Sequence, residues 1–204
     1  MTEASRTWQQ AEQHLTTVDP VLKSLVEKYG PCHLQPKRDY FTTLCSSIVS
    51  QQLATKAAAA IFARFSAFYD DHPAPPAVAG TAPEKLRELG LSNQKISYML
   101  DLSDKVVSGS IKLDQFPALP DEEIVRELTA VKGIGVWTAQ MFLIFALNRP
   151  DVLPVDDFGV RKAMMNCYNL AGMPAKAEME SIAVPWRPWR SIASWYLWRS
   201  LENK

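Results

Sequence analysis

The stretch of the 204-residue sequence with the clearest capacity for chemistry spans residues 128–141 and reads LTAVKGIGVWTAQM. One apolar, helix-like run precedes Gly133-Ile134-Gly135 and another follows it. Glycine adopts positive φ without strain and lets the backbone come close to a partner. If the second helix begins just after Gly135, its first N–H groups have no acceptor within the helix and can bind an anion such as a phosphate. The pattern also fits a plain corner between two helices, closed by a glycine cap.

Two further features follow this hairpin along the chain. The adjacent carboxylates Asp156 and Asp157 stand before a run that is typical of a helix. An aspartate in that position is often an N-cap, whose side chain accepts N–H groups of the first helical turn. The segment 188–199 is rich in tryptophan. Such rings either fill a core or present π faces to a ligand.

Together these segments resemble a known family. The motif around Gly133 and Gly135 resembles the helix–hairpin–helix of the DNA glycosylase superfamily. Residues 153–162 resemble the Gly/Pro-rich loop and aspartate that complete its signature. Residues 188–199 resemble the tail of the alkylpurine branch, 3-methyladenine DNA glycosylase II. The resemblance covers roughly residues 40–201, most of the chain.

The resemblance implies a monofunctional DNA glycosylase of base excision repair. Such an enzyme flips an alkylated base, for example 3-methyladenine or 7-methylguanine, out of duplex DNA and hydrolyses its N-glycosidic bond. A carboxylate would stabilise the oxocarbenium-like transition state and orient a water molecule. Asp157, which directly precedes Phe158-Gly159, is the predicted catalytic residue, and Asp156 is the second choice. In bifunctional relatives a lysine lies two residues after the second hairpin glycine; Trp137 lies there in this chain, so we expect no Schiff base and no lyase activity.

The resemblance also implies a base pocket and a wedge. A purine alkylated at N3 or N7 is cationic and is attracted to aromatic faces, and a methionine can adapt to several bases. The predicted pocket residues are Trp137, Met141 and Trp198, with Trp195 and Tyr196 nearby. The predicted wedge, which fills the space of the flipped base, is Gln52, with Gln51 as second choice. A polar turn between two helices is the alternative interpretation of this segment.

The hairpin residues receive two further assignments. The predicted phosphate contacts are Lys132 and the N–H groups of Gly133, Gly135 and Thr138. We expect a Cβ at Gly135 to clash or to force an unfavourable φ. By resemblance, a structural Na⁺ or K⁺ would be bound by the backbone carbonyls of Thr129, Val131 and Ile134. No other cofactor is expected.

Composition narrows the class of protein. The 22 basic and 22 acidic residues give a formal net charge of +0, which argues against strong charge-driven DNA binding. Three scattered cysteines favour a reducing compartment, the bacterial cytoplasm with its nucleoid or a eukaryotic nucleus, and do not suffice for the four-cysteine iron–sulfur cluster of some related glycosylases. The polar first thirteen residues predict no export signal, and the absence of a long apolar run predicts no membrane span. We expect a monomer that binds double-stranded DNA.

The remaining pattern predicts an all-α fold. The predicted helices cover residues 19–30, 39–50, 54–69, 83–90, 93–108, 121–130, 137–147, 157–170, 174–184 and 187–202. Proline-rich segments at 70–83 and 116–120 are predicted loops. By resemblance, residues 40–150 form a central lobe carrying the hairpin, residues 1–39 with 151–204 form a second lobe carrying Asp157, and the active-site cleft lies between them.

Two other functions stay open at this point. The first is a helix–hairpin–helix module that binds DNA without catalysis, although such a module needs neither the spaced aspartate nor the tryptophan-rich tail. The second is a glycosylase for oxidised or mismatched bases. The missing hairpin lysine and the missing cysteine cluster argue against the commonest forms of that enzyme.

Overall fold

The computed structural model describes residues 3–202, and all regular elements in that range are helices. The predicted all-α class is therefore confirmed. The α-helices are α1 Glu3–Val18, α2 Pro20–Tyr29, α3 Tyr40–Ser50, α4 Thr55–Phe68, α5 Pro75–Ala79, α6 Pro83–Glu88, α7 Asn93–Val107, α8 Asp121–Thr129, α9 Val136–Phe145, α10 Phe158–Cys167, α11 Lys176–Ile182 and α12 Arg190–Leu201. Two short 3-10 helices lie at Leu113–Ala118 and Val184–Trp186.

The helix caps follow the local sequence. Asp19 accepts the N–H groups of Val21 and Leu22 and is followed by Pro20 at the first helical position, so α2 begins where its sequence predicts. Ser92 caps α7 in the same way through the N–H of Lys95. The structure differs from the sequence prediction in adding α1 before Asp19, and helical turns within both predicted proline-rich loops.

The chain divides into two compact units. The middle unit is Lys37–Phe142, and the N/C unit combines the chain up to Pro36 with the chain from Leu143 onward. The core of the middle unit is built from large apolar side chains of successive helices, among them Leu44, Ile48, Phe65, Leu102 and Ile124. It therefore draws on α3, α4, α7 and α8, which supply the frame around the hairpin.

Two carboxylates, one buried and one half-buried, organise the N/C unit. Asp19 caps α2 with Oδ1, and its Oδ2 accepts the Tyr168 hydroxyl at 2.7 Å and the Trp186 indole N–H at 2.8 Å. Burial and the bond to Asp19 raise the pKa of Tyr168. Glu12, on α1, accepts the N–H of Cys32 at 2.6 Å and lies 2.8 Å from the Tyr196 hydroxyl. These contacts join the N-terminal helices to α12 and to the turn before it.

The three cysteines are free thiols, two of them buried, and burial raises the pKa of Cys32 to about 12. Within residues 3–202 no helix combines the length and the apolar character that a membrane crossing requires.

Candidate functional site

Asp157 is the buried N-cap of α10. Its Oδ1 accepts the N–H of Val160 at 2.7 Å and the indole N–H of Trp198 at 2.8 Å. The side chain is 9% exposed. The N-cap role that is usual for such an aspartate and the predicted catalytic role thus fall on the same residue. Because two N–H donors meet on one oxygen, the carboxylate plane has a fixed orientation.

Gly159 leaves room for this arrangement. A Cβ at this position would lie 3.0 Å from Asp157 Oδ1 and 3.1 Å from Trp198 Cδ1. These distances are shorter than ordinary carbon contacts, so a side chain here would push the carboxylate or the indole away. The absence of a side chain at Gly159 therefore keeps the carboxylate of Asp157 and the indole of Trp198 in contact.

Helix α12 positions the loop that leads to Asp157. The Ser191 hydroxyl accepts the N–H of Val152 at 2.9 Å. Arg190 makes a two-pronged ion pair with Asp151, with Nε to Oδ1 at 2.6 Å and Nη2 to Oδ2 at 3.0 Å. Trp198 lies two turns further along the same helix, so α12 fixes both the start of the loop and the carboxylate at its end.

Asp156 has different surroundings. It is exposed and forms an ion pair with Lys176, with 2.6 Å between Asp156 Oδ1 and Lys176 Nζ. Its carboxylate therefore faces an ammonium at the surface, whereas its neighbour Asp157 is buried against an indole.

The tryptophan-rich tail separates into core and site residues. Trp198 packs against Phe145 with 5.4 Å between ring centroids and is partly exposed. Tyr196 is fully buried, and its hydroxyl lies between Glu12 and the carbonyl of Gly30. Residues two apart on a helix point in directions about 160° apart, so Tyr196 and Trp198 lie on opposite faces of α12. Tyr196 is therefore part of the core of the N/C unit and has no exposed ring face to offer a base.

The hairpin of the middle unit consists of the end of α8, residues 130–135 and the start of α9. Gly133 has φ +77°, and an ideal Cβ there would lie 2.0 Å from Cδ2 of Tyr98. Gly135 does not have a left-handed φ, and apart from its two chain neighbours no described residue has an atom within 4 Å of its Cβ position. The clash and the unfavourable φ that were expected for a side chain at Gly135 would therefore arise at Gly133. At Gly135 the space that a Cβ would occupy is open.

The other predicted hairpin residues lie at the start of α9 or in the turn before it. Lys132 is exposed, and its backbone N–H donates to Asp101 Oδ2 at 2.9 Å. Thr138 is buried, whereas Val136 and Trp137 are exposed by 50% and 44%. Met141 is half-buried. The first N–H groups of α9 have no acceptor within the helix, which leaves this end suited to an anion.

The predicted wedge segment is the turn between α3 and α4. Gln51 Nε2 donates to the carbonyl of Gly133 at 2.8 Å, so its amide already binds the hairpin. Gln52 is exposed with φ +55°, and Leu53 is exposed by 39%. An apolar side chain also suits insertion between bases, so Leu53 is a further candidate for the wedge.

The carbonyl groups predicted to hold a monovalent cation lie at the end of α8 and in the turn. The last carbonyls of a helix, including that of Thr129, have no intrahelical donor. The carbonyl of Val131 accepts the N–H of Ile134 at 3.1 Å and retains a second lone pair. Carbonyl oxygens are hard ligands, so the chemistry of this donor set fits Na⁺ or K⁺.

Comparison with known proteins identifies the family. A family model described as HhH-GPD superfamily base excision DNA repair protein matches residues 45–188. DNA-3-methyladenine glycosylase 1 of Schizosaccharomyces pombe is 35% identical over 196 residues, which cover 93% of this chain and 86% of that protein. The chain belongs to the HhH-GPD superfamily of base excision DNA repair proteins, and the resemblance found in the sequence is confirmed.

Solved structures agree with this assignment. The Schizosaccharomyces pombe 3-methyladenine DNA glycosylase in complex with abasic DNA superposes with a TM-score of 0.82, covering 94% of this chain and 96% of that one. A DNA-3-methyladenine glycosidase from Bacillus halodurans is 32% identical and superposes with a TM-score of 0.85, covering 93% of this chain and 88% of that one. The helical fold is therefore that of DNA repair glycosylases.

Proposed function

We propose that this protein is a base excision repair glycosylase that hydrolyses the N-glycosidic bond of alkylated bases in duplex DNA, without lyase activity. The observation that carries the proposal is the buried carboxylate of Asp157, oriented by the N–H groups of Val160 and Trp198. The relatives support the substrate class, since the Schizosaccharomyces pombe protein is named a DNA-3-methyladenine glycosylase and its structure contains abasic DNA.

The chemistry suits a single carboxylate. Breaking the bond between C1′ and the base builds positive charge on the sugar, and a nearby carboxylate stabilises that charge and orients water. Alkylation at N3 or N7 makes the purine cationic, so it leaves without a strong general acid. In the N/C unit, the partly exposed ring of Trp198 beside Asp157 is a suitable face for a cationic base. In the middle unit, the ring of Trp137 is exposed and could also stack on a base.

DNA binding would use the hairpin of the middle unit. The first N–H groups of α9 and the open side of Gly135 suit a phosphate oxygen, with Lys132 beside them. A monovalent cation held by Thr129, Val131 and Ile134 would add positive charge at this turn. Gln52, or the exposed Leu53 beside it, would fill the gap left by the flipped base.

The central test measures release of free bases from methylated duplex DNA, with uracil- and 8-oxoguanine-containing duplexes in parallel. We expect release of methylated purines by the wild type, and a loss of roughly two to three orders of magnitude in Asp157→Asn, because the charge facing the oxocarbenium ion is removed. Asp156→Asn is the matched control and should stay near wild type, since Asp156 pairs with Lys176 at the surface.

Three results would contradict this assignment in different ways. An inactive Asp156→Asn with an active Asp157→Asn would move the catalytic role by one residue. Two fully active variants would remove the carboxylate mechanism. DNA binding without release of any base would favour the non-enzymatic module.

The absence of lyase activity has its own test. The second residue after Gly135 is Trp137, which has no amine to attack C1′. Borohydride added during turnover on methylated DNA should therefore trap no covalent protein–DNA adduct, while a bifunctional glycosylase run alongside should give one. A trapped adduct from this protein would overturn the monofunctional assignment.

A further inference from the structure

One face of α7 contacts both segments that are proposed to touch DNA. Lys95, Tyr98 and Asp101 follow one another at intervals of three residues, so each is a neighbour of the next on the helix surface. All three are partly buried. None of them belongs to the proposed active site or to the proposed phosphate contacts.

Two of these residues hold the hairpin turn. The Tyr98 ring lies directly against Gly133, at the place where any Cβ would be. The Asp101 carboxylate accepts the backbone N–H of Lys132 at 2.9 Å and pairs with Lys105 at 2.7 Å. Burial opposes the charged form of Asp101, but the hydrogen bonds from Lys105 and Lys132 outweigh it and lower the pKa of this carboxyl. Asp101 is thus an ionised acceptor for the N–H of Lys132, which lies in the turn and outside the hydrogen bonding of any helix.

The third residue holds the end of α3. Lys95 Nζ donates to the carbonyl of Val49 at 2.6 Å, just before the turn that contains Gln51 and Gln52. Burial lowers the pKa of this ammonium. Gln51 then completes the set of contacts, because its Nε2 donates to the carbonyl of Gly133 at 2.8 Å. The wedge turn and the hairpin are therefore each bound to α7 and also to each other.

We infer that Gln51, Lys95, Tyr98 and Asp101 form a positioning scaffold that sets the wedge turn at a fixed distance from the phosphate-binding hairpin. In this role Gln51 acts through Gly133 and does not contact a base, in contrast to its earlier assignment as a wedge residue. A glycosylase must hold the DNA backbone while it displaces a base. The spacing between the wedge turn and the hairpin therefore decides how well both fit one duplex. The inference rests on the proposed DNA-binding function of the hairpin.

The test measures the affinity of the full chain for duplexes that contain an abasic-site analogue opposite each of the four bases, and for undamaged duplex. Gln51→Met keeps the side-chain length but removes the amide donor, and Asp101→Leu removes the acceptor. Each variant should weaken binding about three- to tenfold, the range expected for one lost hydrogen bond. For a given variant, this factor should be the same for all duplexes. Asp101→Asn should retain most of the affinity, because its amide oxygen can still accept the Lys132 N–H.

Control variants separate the possible failures. Gln115→Met makes the same substitution at an exposed glutamine of the middle unit and should change nothing. Gly135→Asp introduces a carboxylate at the start of α9, where it should repel a phosphate without opposing the helix. If Gly135→Asp leaves affinity unchanged, the proposed hairpin anchor itself is wrong.

If Gly135→Asp weakens binding while Gln51→Met and Asp101→Leu do not, only the scaffold is wrong. If Gln51→Met weakens binding in a way that depends on the opposite base, Gln51 contacts that base directly and the positioning role is overturned. Thermal unfolding midpoints, measured alongside, keep a fall in affinity separate from a fall in stability. If Gln51→Met does not fold, the Asp101→Leu and Asp101→Asn pair decides the inference alone.

Discussion

At the scale of single residues, the carboxylate of Asp157 has an observed role in the fold and a proposed role in the chemistry. Its Oδ1 caps α10 and also accepts the indole N–H of Trp198. The indole therefore has two features of interest, a donor that orients the carboxylate and a π face suited to a cationic base. Gly159 keeps the two groups close by leaving its Cβ position vacant.

Two variants of Trp198 distinguish these features. Trp198→Phe keeps an aromatic face but removes the donor to Asp157, so we expect slower excision of every base, about tenfold, since one charge-assisted hydrogen bond is lost. Trp198→Ala also removes the face and should reduce excision of cationic 7-methylguanine more than excision of a neutral base such as hypoxanthine. Single-turnover rates on the two substrates measure both effects, with binding to an abasic-site analogue as control. Equal losses on both substrates in Trp198→Ala would remove the stacking role.

At the scale of elements, the turn between α8 and α9 contains two glycines, and each lacks a side chain for a different physical reason. Gly133 has a left-handed φ and lies against the ring of Tyr98, so its missing side chain is required by the fold itself. Gly135 has an open side and an ordinary φ, so its missing side chain is not required by any neighbour in the chain. The second glycine is the one that leaves room for an external partner.

This difference gives a paired prediction. Gly133→Ala should lower the free energy of unfolding by ~1–3 kcal/mol or more, because the new Cβ meets both strain and the Tyr98 ring. Gly135→Ala should change stability by less than ~1 kcal/mol but should weaken binding to undamaged and lesion-containing duplexes by a similar factor, since phosphate contacts do not read bases. Denaturant unfolding and DNA titration of both variants provide the measurements. A Gly135→Ala variant that loses only lesion preference would place this glycine in the base pocket instead.

The sequence predicted elements better than it predicted contacts. The start of α2 at Asp19-Pro20 and the start of α7 at Ser92 follow from cap residues, which act over three or four neighbours. Helix α1 was not predicted, because its segment is mostly polar. Its apolar residues Trp8, Ala11 and Leu15 nevertheless recur at helical spacing, and all three are buried. This error could have been avoided from the sequence.

The contacts that define the candidate site could not have been predicted in the same way. Trp198 meets Asp157 across 41 residues, and Gln51 meets Gly133 across 82. Helical periodicity assigns a side chain to a face but does not say which distant element that face contacts. The assignment of Gln51 to DNA and of Tyr196 to the pocket both came from resemblance of short motifs, and in both cases a long-range hydrogen bond gives the side chain a partner inside its own unit.

At the scale of the whole molecule, the balance of 22 basic and 22 acidic residues sets the expected strength of electrostatic binding. A protein that neutralises many phosphates with Lys and Arg releases many counterions and loses affinity steeply as salt rises. Here much of the proposed contact comes from backbone N–H groups at the start of α9, which carry only partial charges. The molecule should therefore depend on shape and hydrogen bonding more than on net charge.

The salt dependence of DNA binding checks this expectation. A plot of log affinity against log salt concentration for an undamaged duplex should have a shallow slope, on the order of −2 to −4, corresponding to a few neutralised phosphates. Lys132→Met should reduce the magnitude of that slope by about one, because Lys132 is the exposed cation of the proposed hairpin contact. A slope near −8 would indicate a basic surface that the balanced composition does not suggest.

The division of the chain has a consequence for biosynthesis. The middle unit is one continuous segment, Lys37–Phe142, so it can fold on the ribosome as soon as α9 has emerged. The N/C unit has to wait, because Asp19 and Glu12 find their partners Trp186 and Tyr196 only when the last helices have been translated. During that interval the apolar stripe of α1 has no α12 to cover it, so we expect it to be exposed. Nascent chains stalled shortly before residue 186 should therefore contain a protease-resistant middle segment and a protease-sensitive N-terminus. Stalled chains extended by a C-terminal linker that brings α12 out of the ribosome should be protected in both parts.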